Sequence, residues 1–95
     1  MTLSVKKIGI IGLGLIGGSI ARALKRNGKG YIIKAWDRDI NNLELGLKEK
    51  ALDEYCLSLK EGFSDCEVIF LCVPVFVMGD ILKELLPSIC PDSVL

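Results

Sequence analysis

A chain of 95 residues holds one small domain or part of one, since domains typically run to about 100 to 150 residues. Hydrophobic residues make up 51% and charged residues 25%, which excludes a disordered tail, and 12 Lys+Arg balance 12 Asp+Glu without the basic excess of a nucleic-acid or polybasic membrane module. Histidine is absent, so no mechanism that needs an imidazole base, metal ligand or pH switch can be completed within the chain.

Residues 7–11, K-I-G-I-I, form a short β-branched apolar run, the pattern of a central parallel strand covered on both faces. From Leu15 the period changes. Ile16, Ile20, Ala23 and Leu24 recur at helical spacing with Ser19, Arg22, Lys25 and Arg26 opposite, which predicts a helix to about Asn27 with Gly28 as a left-handed stop. Residues 31–36, Y-I-I-K-A-W, read as a second strand ended by Asp37-Arg38-Asp39. Asp39 is placed to cap a second helix that carries Ile40, Leu43 and Leu47 toward the sheet and ends near Lys48.

A short third strand is expected within residues 51–55. Ser58-Leu59-Lys60-Glu61 then has the S-x-x-E spacing of a capping box and predicts a turn or two of helix before Gly62. Residues 66–73, C-E-V-I-F-L-C-V, carry the strongest strand signal of the chain and belong at the sheet centre. Pro74 ends this strand and opens a helix in which Val77, Ile81, Leu82, Leu85 and Leu86 make an apolar stripe up to Pro87. Pro91-Asp92 marks a turn into Ser93-Val94-Leu95, the start of a fifth strand.

This alternation predicts an α/β fold, a doubly wound parallel sheet with right-handed crossovers that is truncated in its fifth strand. Residues 1–95 read as a single unit with no linker or repeat. Cys56, Cys66, Cys72 and Cys90 lie ten, six and eighteen residues apart with no C-x-x-C pair, and read as small buried hydrophobes in a reducing cytoplasm rather than a disulfide, reactive-thiol or metal set. Lys6-Lys7 before an apolar run mimics a signal peptide, but the glycines at 9, 12, 14, 17 and 18 would weaken such a helix. The longest uncharged runs, of 14 and 12 residues, fall short of the roughly 20 that cross a bilayer.

Gly12-Leu13-Gly14-Leu15-Ile16-Gly17 is a G-x-G-x-x-G that follows a predicted strand and opens a predicted helix, the context that makes the motif specific. Gly12 permits the tight turn, Gly14 lets a pyrophosphate approach the backbone, and Gly17 lets the helix pack on the sheet, while the N–H groups of Leu15 and Ile16 point at the anion. Asp37, twenty residues beyond Gly17, is placed to accept hydrogen bonds from ribose hydroxyls; its alternative is a helix cap, a job Asp39 can do. The geometry favours NAD over NADP, because a 2′-phosphate would meet a like charge, which Arg38 could partly offset. The junction Cys72-Val73-Pro74-Val75 falls at the switch point where an open sheet of Rossmann type, strand order 3-2-1-4-5, binds its ligand; its backbone walls the cofactor, Val73 and Val75 are simply core, or both hold.

The segments K-I-G-I-I-G-L-G-L-I-G-G-S (7–19), W-D-R-D (36–39) and V-I-F-L-C-V-P-V (68–75) resemble the N-terminal domain of prephenate dehydrogenases. The resemblance covers nearly the whole chain and is carried by the doubled Gly17-Gly18 before Ser19, the D-R-D and the V-P-V. It implies NAD- or NADP-dependent oxidative decarboxylation of prephenate or arogenate on the route to tyrosine, by a homodimer when full length. It also implies that Gly12, Gly14, Leu15, Ile16 and Gly17 hold the pyrophosphate, Asp37 and Arg38 the ribose, and Val73 and Pro74 the cofactor's wall. The family's catalytic histidine, substrate arginines and helical domain match no residue here, so the chain alone is expected to be inactive. Lys50 stands where the family usually has a helix-closing glycine, so that turn must differ or a lysine must adopt a left-handed conformation at about 1 kcal/mol. A 3-hydroxyacid-type dehydrogenase domain and a standalone NAD-sensing module are the competing expectations.

Overall fold

The computed structural model describes residues 7–27, 30–59 and 62–88. In chain order the elements are β1 (Lys7–Ile11), α1 (Leu15–Arg26), β2 (Ile32–Trp36), α2 (Ile40–Lys48), β3 (Glu54–Tyr55), β4 (Val68–Leu71), α3 (Val75–Leu85) and a 3-10 turn (Leu86–Ser88). The strands pair in parallel in the order β3-β2-β1-β4, with Ile10 opposite both Ala35 and Phe70. The expected strand order holds for these four, and the expected fifth strand and the Gly28 stop lie outside the described residues.

Because side chains alternate along a strand, β1 sends Ile8 and Ile10 to one face and Ile11 to the other. The first face joins Ile33, Ala35, Leu43 and Ala21 in a core beneath α1 and α2. On the second face Ile11, Ile69, Phe63, Cys66, Ile81 and Leu85 pack beneath α3. Each face buries its own apolar cluster, the reason every strand of a doubly wound sheet reads as near-continuously hydrophobic.

Two sequence expectations are corrected by this packing. In α1 Ile20 and Leu24 pack against the core as expected, but the buried positions among the described side chains are Gly17, Gly18 and Ala21, and Ile16 and Ala23 are exposed, because the side of the helix closest to β1 carries the small residues. In α2 Leu43 is buried as expected, but Ile40 and Leu47 are exposed and Gly46 is buried instead. A Cβ on Gly46 would come within 2.6 Å of Leu52 and 2.8 Å of Leu13, so the glycine draws the helix down at that point. The turn of helix expected between Ser58 and Gly62 falls largely on Lys60 and Glu61, which lie outside the described residues. Gly62, at φ +105°, turns the chain so that Phe63 drops onto Gly9, where a Cβ would stand 2.8 Å from the ring.

The end of α2 settles the question posed by Lys50. Its φ is +62°, with the Lys50 N–H on the Leu47 carbonyl at 3.1 Å and the Ala51 N–H on the Gly46 carbonyl at 2.8 Å. This pair of bonds is a Schellman closure with a lysine at the left-handed position that favours glycine. Over the second face, near the start of β1, Lys7 bonds Asp65 at 2.8 Å and Glu54 at 3.1 Å, and Lys34 lies 3.5 Å from Glu54 and 3.7 Å from Asp65. The four charges tie β1, β2, β3 and the approach to β4 together.

Candidate functional site

The site is built at the carboxyl ends of the strands, where β1 turns into α1. Gly12 takes φ +94° and donates its N–H to the Trp36 carbonyl at 2.7 Å, and a Cβ there would lie 2.6 Å from the Cys72 carbonyl oxygen. A Cβ on Gly17 would overlap the Gly12 carbonyl oxygen, so the first and third glycines are required by the turn itself. Gly14 differs, since a Cβ there meets nothing within 4 Å and its lack of a side chain keeps space open above the turn.

Gly14 is also the N-cap of α1, with no side-chain cap and no acidic residue in the first turn. The first helical bond runs from the Gly18 N–H to the Gly14 carbonyl at 2.8 Å. The N–H groups of Leu15, Ile16 and Gly17 therefore stand at the positive end of the helix without helical acceptors, an arrangement suited to an anion. The Ile16 side chain is 70% exposed and takes no part in this.

Asp37 follows β2 directly. Its Oδ2 accepts the Leu13 N–H at 2.7 Å and its Oδ1 accepts the Asp39 N–H at 2.8 Å. Asp39 is the cap of α2, accepting the Asn41 N–H at 2.9 Å, so Asp37 is released from that role. A carboxylate offers about four lone-pair directions and two are taken, which leaves acceptor capacity for ligand hydroxyls.

Gly12, Gly14, Asp37, Arg38, Val73 and Pro74 line one cavity of about 300 Å³. Val73 packs against the second core and also walls this cavity, whereas Val75 is exposed and is not core. Cys72, of the same junction, also lines it, and Trp36, Phe76, Val77 and Ile81, which the sequence did not mark as site residues, complete the lining. Val77 and Ile81 do form an i, i+4 pair in the apolar stripe of α3, but a stripe signals burial without saying whether protein or ligand covers it.

Burial pushes the thiols of Cys56 and Cys72 up and that of Cys66, further raised by the Asp65 charge, up to about 12. All three are free thiols, not disulfides, and burial favours their protonated form. Among the described residues no cluster of His, Cys, Asp or Glu could hold a metal, and no helix is long and apolar enough to cross a membrane.

A parallel sheet wound in this order, with a glycine turn under an open helix N-terminus and a carboxylate at the end of the second strand, defines a Rossmann-like α/β nucleotide-binding fold. The chain belongs to the family described as NADP oxidoreductase, coenzyme F420-dependent, whose family model matches residues 7–95. It is 33% identical over 91 residues to the prephenate dehydrogenase of Lactococcus lactis subsp. cremoris (strain MG1363), covering 96% of this chain and 25% of that protein. The crystal structure of Synechocystis arogenate dehydrogenase is similar with a TM-score of 0.83 at 32% identity, covering 92% of this chain and 30% of the other. Prephenate dehydrogenase from A. aeolicus, solved in complex with hydroxyphenyl propionate and NAD+, gives a TM-score of 0.87 at 28% identity, covering 98% of this chain and 33% of the other. The chain thus spans between a quarter and a third of the length of these relatives.

Proposed function

We propose that residues 1–95 are the NAD-binding part of a prephenate or arogenate dehydrogenase that is a homodimer when full length and works in the cytoplasm. One observation carries the proposal: Gly14, which opens α1 at a helix N-terminus with no side-chain cap, lines a single cavity together with the Asp37 carboxylate. The N–H groups would hold the pyrophosphate, Asp37 would take the adenosine ribose hydroxyls, and Val73 and Pro74 would wall the nucleotide. The bound nicotinamide supplies the hydride acceptor, and this chain's residues bind and orient it. The family's description names NADP, yet a 2′-phosphate would meet the Asp37 carboxylate, with Arg38 as its one cationic neighbour in the cavity.

Isothermal titration with NAD and NADP tests the cofactor. NAD is expected to bind more tightly, and equal affinities overturn the NAD assignment. Activity is tested by following NADH formation with prephenate and with arogenate. With no histidine in its sequence, the 95-residue chain is expected to form no NADH, whereas the longer protein turns over one of the two substrates.

A further inference from the structure

Of Gly12, Leu13 and Gly14 only Leu13 has a side chain, so any packing force that fixes the glycine turn acts through it. Its backbone N–H is held by Asp37 at 2.7 Å, and its side chain, 7% exposed, belongs to the core beneath α1 and α2 with Leu43, Ala51 and Leu52. The place where it seats is made by Gly46 of α2. A Cβ there would stand 2.8 Å from Leu13 Cδ2 and 2.6 Å from Leu52 Cδ2, inside the roughly 3.5–4.0 Å at which carbon atoms pack. Glycine is a poor helix former, yet Gly46 lies inside α2 with no left-handed φ to require it, so what it supplies is the missing side chain.

The two leucines differ in what surrounds them. Leu52 is 2% exposed and enclosed in the core, whereas Leu13 also lines a cleft of about 170 Å³ whose walls include Gly14 and Gly18, and so has room to move toward the start of α1. A methyl group at residue 46 therefore displaces Leu13, and with it the neighbouring Gly14 that opens α1. Resting on the dinucleotide function proposed above, we infer that Gly46 is a positioning residue for the bound dinucleotide: its bare backbone is the seat of Leu13, and that seat sets where the turn presents its N–H groups to the pyrophosphate. Gly46 does not line the nucleotide cavity itself, so its effect reaches the ligand through the turn.

The experiment measures NAD binding by isothermal titration on the parent chain, on Gly46→Ala, and on Gly46→Ala combined with either Leu13→Val or Leu52→Val. Gly46→Ala is expected to weaken NAD binding about fivefold, the scale of a change relayed to a site through packing. Leu13→Val removes a carbon where the methyl was added, a swap that keeps the volume, and is expected to bring affinity back to within about twofold of the parent. Leu52→Val relieves the other contact and is expected to raise the melting temperature of Gly46→Ala while leaving its NAD affinity low, a split that a merely structural role for Gly46 would not produce. Thermal melting shows that each variant is folded at the titration temperature. Should Gly46→Ala not fold, Leu13→Ala empties the seat without a clash and is expected to weaken binding by a similar factor. Parent-like affinity in whichever of these two variants is titrated, or restoration by Leu52→Val as fully as by Leu13→Val, or by neither, overturns the inference and leaves the dinucleotide function standing. Absence of NAD binding by the parent removes the dinucleotide function itself and this inference with it.

Discussion

The carboxylate of Asp37 accepts the backbone N–H of Leu13 at 2.7 Å, joining residues 24 apart in the chain. With the Gly12 N–H on the Trp36 carbonyl at 2.7 Å, this bond fastens the glycine turn to the end of β2. The residue proposed to recognise ribose therefore also holds the loop proposed to recognise phosphate.

Two substitutions at Asp37 separate these roles. Asp37→Asn keeps an acceptor oxygen for Leu13 but removes the charge and turns an NH2 toward the Asp39 N–H, so it is expected to narrow the NAD-over-NADP gap by about 1–3 kcal/mol and to lose the Asp39 bond alone. Asp37→Ala is expected to narrow the gap similarly and to lower the melting temperature further, since the Leu13 N–H loses its partner as well. Titration calorimetry and thermal melting of both variants check this, and equal melting of the two would show that the Leu13 bond contributes nothing measurable.

The glycines of the turn should respond in opposite ways. Gly14→Val places its side chain where a Cβ meets nothing within 4 Å, so the fold is expected to persist within about 1 kcal/mol while NAD binding is lost. Gly17→Ala would press on the Gly12 carbonyl and is expected to cost more than about 2 kcal/mol. Urea unfolding of the two variants, with NAD titration of Gly14→Val, distinguishes a ligand-facing glycine from a structural one.

Lys50 at φ +62° bears a cost that glycine avoids. Replacing Lys50 by Gly relieves about 1 kcal/mol or more of left-handed strain and forfeits part of it to the greater freedom of the unfolded chain. The expected net gain is about 0.5 kcal/mol, read as a higher urea midpoint at unchanged slope. A loss of stability would mean that the lysine side chain contributes more than its backbone conformation costs.

Acid should loosen the charge network. Partial burial works against the charged form of Asp65, but the hydrogen bond from Lys7 and the charges of Lys34 and Lys7 outweigh it and hold the carboxyl below its usual range. A depressed carboxylate pKa contributes stability above its unfolded value and loses it as pH falls through the folded one, so the loss lies below about pH 4. The hydrogen bonds to Asp65 and Glu54 raise the pKa of Lys7, whose contribution is full below its unfolded value and lost only in strong alkali, above about pH 10.4. Because Asp65 is half exposed, Asp65→Asn is expected to cost no more than about 1 kcal/mol at neutral pH and to flatten the acid limb of the stability curve.

Cys66 should be the slowest of the described thiols to react. Its pKa of about 12 leaves almost no thiolate at pH 8, and the side chain is closed in against Phe63 and Gly9. Labelling with a disulfide reagent followed by peptide mass spectrometry is expected to modify Cys56 and Cys72 first, with Cys66 appearing at the rate of unfolding.

Elements set by neighbours in sequence were legible before the structure. The runs at 7–11 and 31–36 became β1 and β2 within a residue, and Asp39 capped α2 as its position implied, because alternation, helical period and caps depend on the next few residues. The G-x-G-x-x-G was legible for the same reason, since its spacing is a local demand of a strand-to-helix turn.

What the sequence alone determined was therefore the doubly wound pattern, the glycine turn and the carboxylate after the second strand. Tertiary structure decided which residues are core: Gly46 rather than Leu47 on α2, small residues rather than Ile16 on α1, and Phe63 over Gly9 on the second face. It also decided that Asp37 serves the turn and that Val77 and Ile81 wall a cavity. Each outcome depends on how closely residues far apart in the chain approach, and a one-dimensional pattern states which residues are apolar without stating what will cover them.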